Sequence, residues 1–152
     1  MKIVPTRRAD YGIRALVHLA NEAPKQSNAT EIAATMKIPK GFLHQVLQDL
    51  IRAGLVRSQR GRGGGYALVP PADQISILEI VEALEGPLDQ GQCALKGGPC
   101  HWQEVCALHR VWSAARQALI DRLGEATLRE VADDDRALQE GRMETPADSH
   151  RR

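Results

Sequence analysis

The sequence predicts a mainly α-helical protein with one small β-hairpin, and three observations predict it. Apolar residues recur at helical spacing along most of the 152 residues. Aromatic content is 3%, so the core must be built from Leu, Ile, Val and Ala, which suits packed helices. One stretch departs from that pattern: Leu55–Arg60 and Tyr66–Val69 read as paired strands around Gly61-Arg62-Gly63-Gly64-Gly65.

The helices follow in order. Ile13, Leu16, Val17 and Ala20 share one face of a helix over 8–20, which Asn21 to Gln26, with Pro24, brings to an end. Asn28 and Glu31 form a capping box for a second, short helix, stopped by the turn Lys37-Ile38-Pro39-Lys40-Gly41. A third helix starts at Pro39 and runs to about Ala53 on the apolar face Leu43, Val46, Leu47, Leu50 and Ile51, with Gly54 as its stop. Pro70-Pro71 marks a junction, after which Ser76 and Glu79 cap a helix buried through Ile77, Ile80, Val81 and Leu84. From Glu104 a longer helix runs to about Leu123, with Leu108, Val111, Trp112, Ala115, Leu119 and Arg122 at roughly heptad spacing. Thr127 to Glu130 caps one more turn, and the polar composition beyond Asp133-Asp134-Asp135 predicts a disordered tail over 134–152.

Charge gives these elements a direction. Residues 1–70 carry 11 Lys/Arg against 4 Asp/Glu, whereas residues 71–152 carry 9 against 15. A basic first half points to an anionic partner, nucleic acid before others. Two helices joined by a short turn make a helix-turn-helix, whose second helix enters the major groove. Its exposed side carries Lys40, His44, Gln45, Gln48 and Arg52, types that hydrogen-bond base edges or phosphates. A hairpin directly after that helix is the wing of a winged helix, with Arg60 and Arg62 placed to reach phosphate or a narrow minor groove. The expected organisation is a winged helix-turn-helix DNA-binding domain over 1–70 and a dimerisation region over 71–133. The latter contains a cysteine loop at 91–106 and the long helix at 104–123. The first domain is too small to cover the stripe on that helix, which favours pairing with a second chain.

All three cysteines, Cys93, Cys100 and Cys106, fall in one segment around Gly97-Gly98-Pro99, and His109 follows one turn after the last. An odd number excludes a complete disulfide framework. The opening Met1-Lys2-Ile3-Val4-Pro5-Thr6-Arg7-Arg8 has no apolar signal core, and no run long enough to span a membrane occurs. A cytoplasmic location is expected, where clustered thiols bind metal or sense redox state. Cys₃His suits structural zinc, thiolates also hold iron–sulfur clusters, and a metal-free thiol switch is a third reading. The histidines are scattered and no nucleophile or acid–base set accompanies them, so no enzyme activity and no small-molecule substrate are expected.

Asp10-Tyr11-Gly12-Ile13-Arg14-Ala15-Leu16, Gly54-Leu55-Val56, Arg60-Gly61-Arg62-Gly63-Gly64-Gly65-Tyr66 and Cys93…Cys100…Cys106-Ala-Leu-His109 occur in an order and spacing that carry a resemblance. The chain resembles the bacterial IscR/NsrR/RirA-type winged-helix repressors over residues 1 to about 133. The resemblance implies a homodimer with crossed long helices, a pseudopalindromic double-stranded operator and an iron–sulfur cluster on each cysteine loop. It implies Cys93, Cys100 and Cys106 as ligands and leaves a fourth position. His109 matches the histidine of members with a [2Fe–2S] cluster. Asp10 matches the aspartate that nitric-oxide-sensing members lend across the dimer to a [4Fe–4S] cluster. The preference is for His109, and so for [2Fe–2S], because it needs only the turn that already presents Cys106.

Overall fold

The computed structural model describes residues 5–88 and 106–144. Among the described residues, six helices and one hairpin follow each other as α1 (Arg7–Glu22), α2 (Ala29–Met36), α3 (Lys40–Arg52), β1 (Val56–Gln59), β2 (Gly65–Leu68), α4 (Ile77–Glu85), α5 (His109–Glu125) and α6 (Leu128–Gln139). A single 3₁₀ turn, Ala72–Gln74, follows the diproline; its spacing left no signal in the sequence.

Helix α1 is the hub. Ala15 to Ala20 are buried without interruption, so this part of the helix is covered on all sides rather than along one stripe. It packs on α6, α3, α4 and α2, and one continuous core joins residues on either side of Pro70-Pro71. Such close approach needs a small residue. A Cβ built at Gly12 would lie 2.2 Å from Leu84 Cδ1 on α4 and 3.4 Å from Val46 Cγ1 on α3.

Side chains of other elements also meet orphan backbone groups at both ends of α1. At the start, the Thr6 hydroxyl caps Ala9 N–H, while the Thr6 N–H and hydroxyl both donate to Glu85 Oε1 at 3.0 and 2.8 Å. At the other end, Arg129 Nη2 donates to the Ala20 carbonyl at 3.0 Å, and Arg136 Nη2 donates to the Asn21 carbonyl at 3.3 Å and to Asn21 Oδ1 at 3.0 Å. Both arginines come from α6. Capping boxes at Asn28/Glu31, Ser76/Glu79 and Thr127/Glu130 start α2, α4 and α6, each an arrangement that stabilises a helix start by about 1 kcal/mol. Ser76 and Thr127 also face each other across an isolated bridge, so α4 and α6 start side by side.

Two expectations need correction. The long helix begins at His109 rather than Glu104, because residues 106–108 form a turn closed by His109 N–H on the Cys106 carbonyl at 2.9 Å. The last helix is not one turn but twelve residues, reaching Gln139 and past residue 134, where a tail was expected to begin. Leu128 and Ala132 are buried against the core and Arg136 is anchored on α1, while Asp133 and Asp134 face solvent. The acidic run belongs to the wet side of a docked helix.

Gly12→Val should be strongly destabilising. Overpacking typically costs about 1–3 kcal/mol, and both neighbours here are core side chains, so a loss near about 3 kcal/mol is expected in urea unfolding.

Candidate nucleic-acid interface and cysteine turn

Helix α3 starts after Pro39, an N-cap without a side-chain hydrogen bond, and ends at Arg52. Leu43, Val46, Leu47 and Leu50 bury its inner face. That leaves Lys40, His44, Gln45, Gln48 and Arg52 exposed on the outer side, as expected. The helix is joined to α2 by a tight turn in which Lys37 takes the left-handed conformation at φ +54°. Phe42, half-exposed beside these polar residues, packs on Tyr11 of α1 with ring centroids 5.8 Å apart.

The wing is an antiparallel ribbon in the register Val56↔Leu68 to Gln59↔Gly65. Gly61 and Gly63 turn it, with φ of +102° and +79°. Arg60 and Arg62 are exposed at its tip. Its base is tied to the loop between α1 and α2: Ser27 and Tyr66 exchange backbone hydrogen bonds of 3.1 and 2.8 Å. Gly65 permits that pairing, since a Cβ there would stand 2.7 Å from the Ser27 carbonyl oxygen. The Ser27 hydroxyl also meets His18 Nε2 at 3.1 Å inside the core.

The structure adds groups that the sequence reading missed. Asp49, the sole acid on α3, is buried, and it holds two arginines: Arg8 on Oδ2 and Arg52 on Oδ1. Burial raises the Asp49 carboxyl, yet the hydrogen bonds from Arg52 and Arg8 outweigh it and leave the pKa below the ordinary carboxylate value. An acid next to the core residue Leu50 was the available signal. His18, in the middle of α1, had none, because its position follows the apolar pattern of its neighbours.

Of the expected metal ligands, Cys106 is half-buried with a free thiol, and His109 is exposed as the first residue of α5. Asp10 stands apart on α1, where Arg14 Nε donates to it at 2.9 Å. Cys93 and Cys100 lie outside the described residues. Among the described residues, no three His, Cys, Asp or Glu side chains come together as a metal site. Leu108, at the N-cap of α5, and Val111 and Leu119 along it are exposed, and no residue of that helix is fully buried. Among the described residues, no helix is long and apolar enough to cross a membrane.

A helix-turn-helix whose exposed second helix is followed by a basic hairpin defines the winged-helix class of DNA-binding proteins. A family described as Rrf2, iron-dependent transcriptional regulator, matches residues 5–134, and the chain belongs to this Rrf2 family of transcriptional regulators. An rrf2-like HTH-type transcriptional regulator of Rhodobacter capsulatus is 32% identical over 135 residues, covering 83% of this chain and 90% of its own. An HTH-type regulator of Neisseria meningitidis serogroup B is 36% identical over 129 residues, covering 83% and 85%. Among solved structures, CymR, the global cysteine regulator of B. subtilis, superposes with a TM-score of 0.74 at 29% identity, covering 88% of this chain and 98% of that one. IscR of T. potens superposes with a TM-score of 0.71 at 25% identity, covering 96% and 94%.

The buried histidine gives a pH prediction. Burial holds the His18 pKa below its ordinary 6.5, with Glu22 and Glu31 opposing and Lys25 adding to the depression. In the window between the folded value and 6.5 the unfolded chain binds more protons, so stability rises with pH. The His18 contribution is complete above 6.5 and is lost as pH falls through 6.5 toward the folded value. Urea midpoints should therefore drop from about pH 7 to about pH 5, and His18→Gln should flatten that drop.

Proposed function

We propose that this regulator represses transcription as a homodimer on a pseudopalindromic operator, with its grip set by an iron–sulfur cluster on the cysteine segment. The observation that carries the reading is the placement of the thiols. Every cysteine of the chain lies in the segment leading into α5, and Cys106 sits in the turn that starts this helix. The described donors fit such a group: a free, half-buried thiol at Cys106 and an exposed imidazole at His109 one turn later. Cys93, Cys100 and Cys106 would hold it, with His109, or Asp10 from a second copy, as the fourth ligand. When bound, a cluster supplies an iron centre that responds to redox change, iron supply or nitric oxide and whose non-thiolate ligand exchanges readily.

Everything else in the mechanism belongs to the chain. Lys40, His44, Gln45, Gln48 and Arg52 meet the major groove, and Arg60 and Arg62 meet the flanking backbone or minor groove. Leu108 just before α5, with Val111, Trp112, Ala115 and Leu119 on it, supplies a stripe for a second copy, which sets the spacing of the two α3 helices. α5 packs on α4, and α4 packs on α1 and α3. A rearrangement at the Cys106 turn therefore has a packed route to the reading helix.

A second reading has one comparison in its favour. CymR of Staphylococcus aureus, solved in an oxidized form, is 32% identical with a TM-score of 0.68. A thiol switch at Cys106 without metal fits that likeness.

An anaerobic absorption spectrum with iron and sulfide assays separates these readings. A brown protein is expected, whose spectrum shifts with His109→Ala and not with Asp10→Ala. The reverse sensitivity would make the cluster shared across the dimer, stoichiometric zinc in a colourless protein would replace it, and absence of metal would leave the thiol switch. Holo protein, apo protein and Cys100→Ala should differ in affinity across a panel of promoter fragments, by roughly tenfold or more for a coupling of about 1.4 kcal/mol. Equal affinities for all three would end the switch.

A further inference from the structure

We propose that Arg8 and Arg52 together bind one DNA backbone phosphate in the groove between α1 and α3, and that Asp49 is the positioning residue that aims them. The proposal rests on the reading that α3 lies in the major groove. A groove of about 400 Å³ is lined by Arg8, Phe42, Gln45, Val46, Gln48, Asp49 and Arg52, so the arginine pair shares a wall with two of the residues assigned to base reading.

The stoichiometry of charge argues for an external anion. One guanidinium is enough to neutralise one buried carboxylate, and here there are two. The cluster carries one surplus positive charge, and it opens outward: the Asp49 side chain is 8% exposed, those of Arg8 and Arg52 are 52% and 75% exposed. Each arginine commits its Nη2 to Asp49. A guanidinium has five N–H donors, so Nε and Nη1 of each stay available to a planar or tetrahedral oxyanion.

The arrangement also removes the usual obstacle to arginine as an exposed ligand. A long free side chain loses rotamer freedom when it binds, which makes surface ion pairs weak. Asp49 is fixed by its place between Gln48 and Leu50 on a packed helix, and it holds both guanidinium groups before any ligand arrives. Because Arg8 comes from the first turn of α1 and Arg52 from the last turn of α3, the pair spans two elements. A phosphate gripped there reads no base; it sets the register of α3 in the groove.

The test measures binding to a mixed-sequence duplex of about 30 base pairs across a salt series, since phosphate contacts do not depend on sequence. The variants are Arg8→Ala, Arg52→Ala, the double variant and Asp49→Asn, each accompanied by urea unfolding and sedimentation. Wild type should lose affinity linearly in log salt, and the double variant should lower that slope by about 0.9, the value for one phosphate rather than two. Arg8→Ala should weaken binding by roughly tenfold, as expected for a charge-assisted bond of about 1.5 kcal/mol.

Asp49→Asn discriminates by sign. It makes the protein more positive, so a merely electrostatic surface would bind DNA more tightly, whereas loss of positioning weakens binding. Tighter binding by Asp49→Asn would overturn the proposal, as would an unchanged slope in the double variant. So would weakened self-association with DNA binding intact, which would assign the pair to a protein contact. If Asp49→Asn fails to fold, the slope of the arginine variants decides alone. Salt-insensitive binding by wild type would instead remove the DNA-reading assignment on which the proposal stands.

Discussion

Burying α1 on every side from Ala15 to Ala20 is the condition that the rest of the structure has to meet. A helix in that position needs a gap in its own surface, partners for its terminal backbone groups and neighbours on all flanks. Gly12 provides the gap, lying under Leu84 and beside Val46. Glu85 takes the start of the helix, and Arg129 and Arg136 take its end. These partners come from α4 and α6, on the far side of the diproline from the helix-turn-helix. The reading head is therefore not an independent bead: α1 is its first helix and is also gripped by α4 and α6.

That dual membership gives the proposed regulation its physical basis. Helix α5 touches the body mainly through α4, and α4 closes over Gly12 through Leu84. A change in order at the cysteine turn has few layers to cross before it reaches α1 and α3. Because the layers are close-packed side chains, displacement at one contact is transmitted rather than absorbed. Arg8, Tyr11 and Gly12 lie on the half of α1 that meets α3, so the same helix turns share the packing and the charge cluster.

The elements most legible in the sequence were those with local causes. Three capping boxes announced α2, α4 and α6 by residue type and spacing alone, and the glycine turn announced the wing. The polar outer face of α3 followed from the position of its buried leucines. What stayed hidden depended on distant partners. The length of α6 is decided by Arg136 reaching Asn21, a contact that no window around Asp133 to Asp135 contains. The start of α5 slipped for a related reason: the apolar repeat continues into residues 106–108, whose backbone forms a turn instead. In the candidate site, the exposed residues of α3 and the wing were readable one by one, but their restraint by Asp49 and by Ser27 was not. The Arg8 contact with Asp49 and the Ser27 bridge depend on folding that brings α1, and the loop after it, alongside.

The bridge between Ser27 and Tyr66 has one more consequence. A two-stranded ribbon alone is marginal in water and presents unpaired edges on which another chain can add a strand. Here the outer edge of β2 is occupied at Tyr66 by the chain's own loop, and the Gln26 amide donates to the Gln59 side chain at 2.8 Å. On β1, Arg57 is exposed and discourages strand addition at that edge. The hairpin is thus shielded against edge-to-edge aggregation.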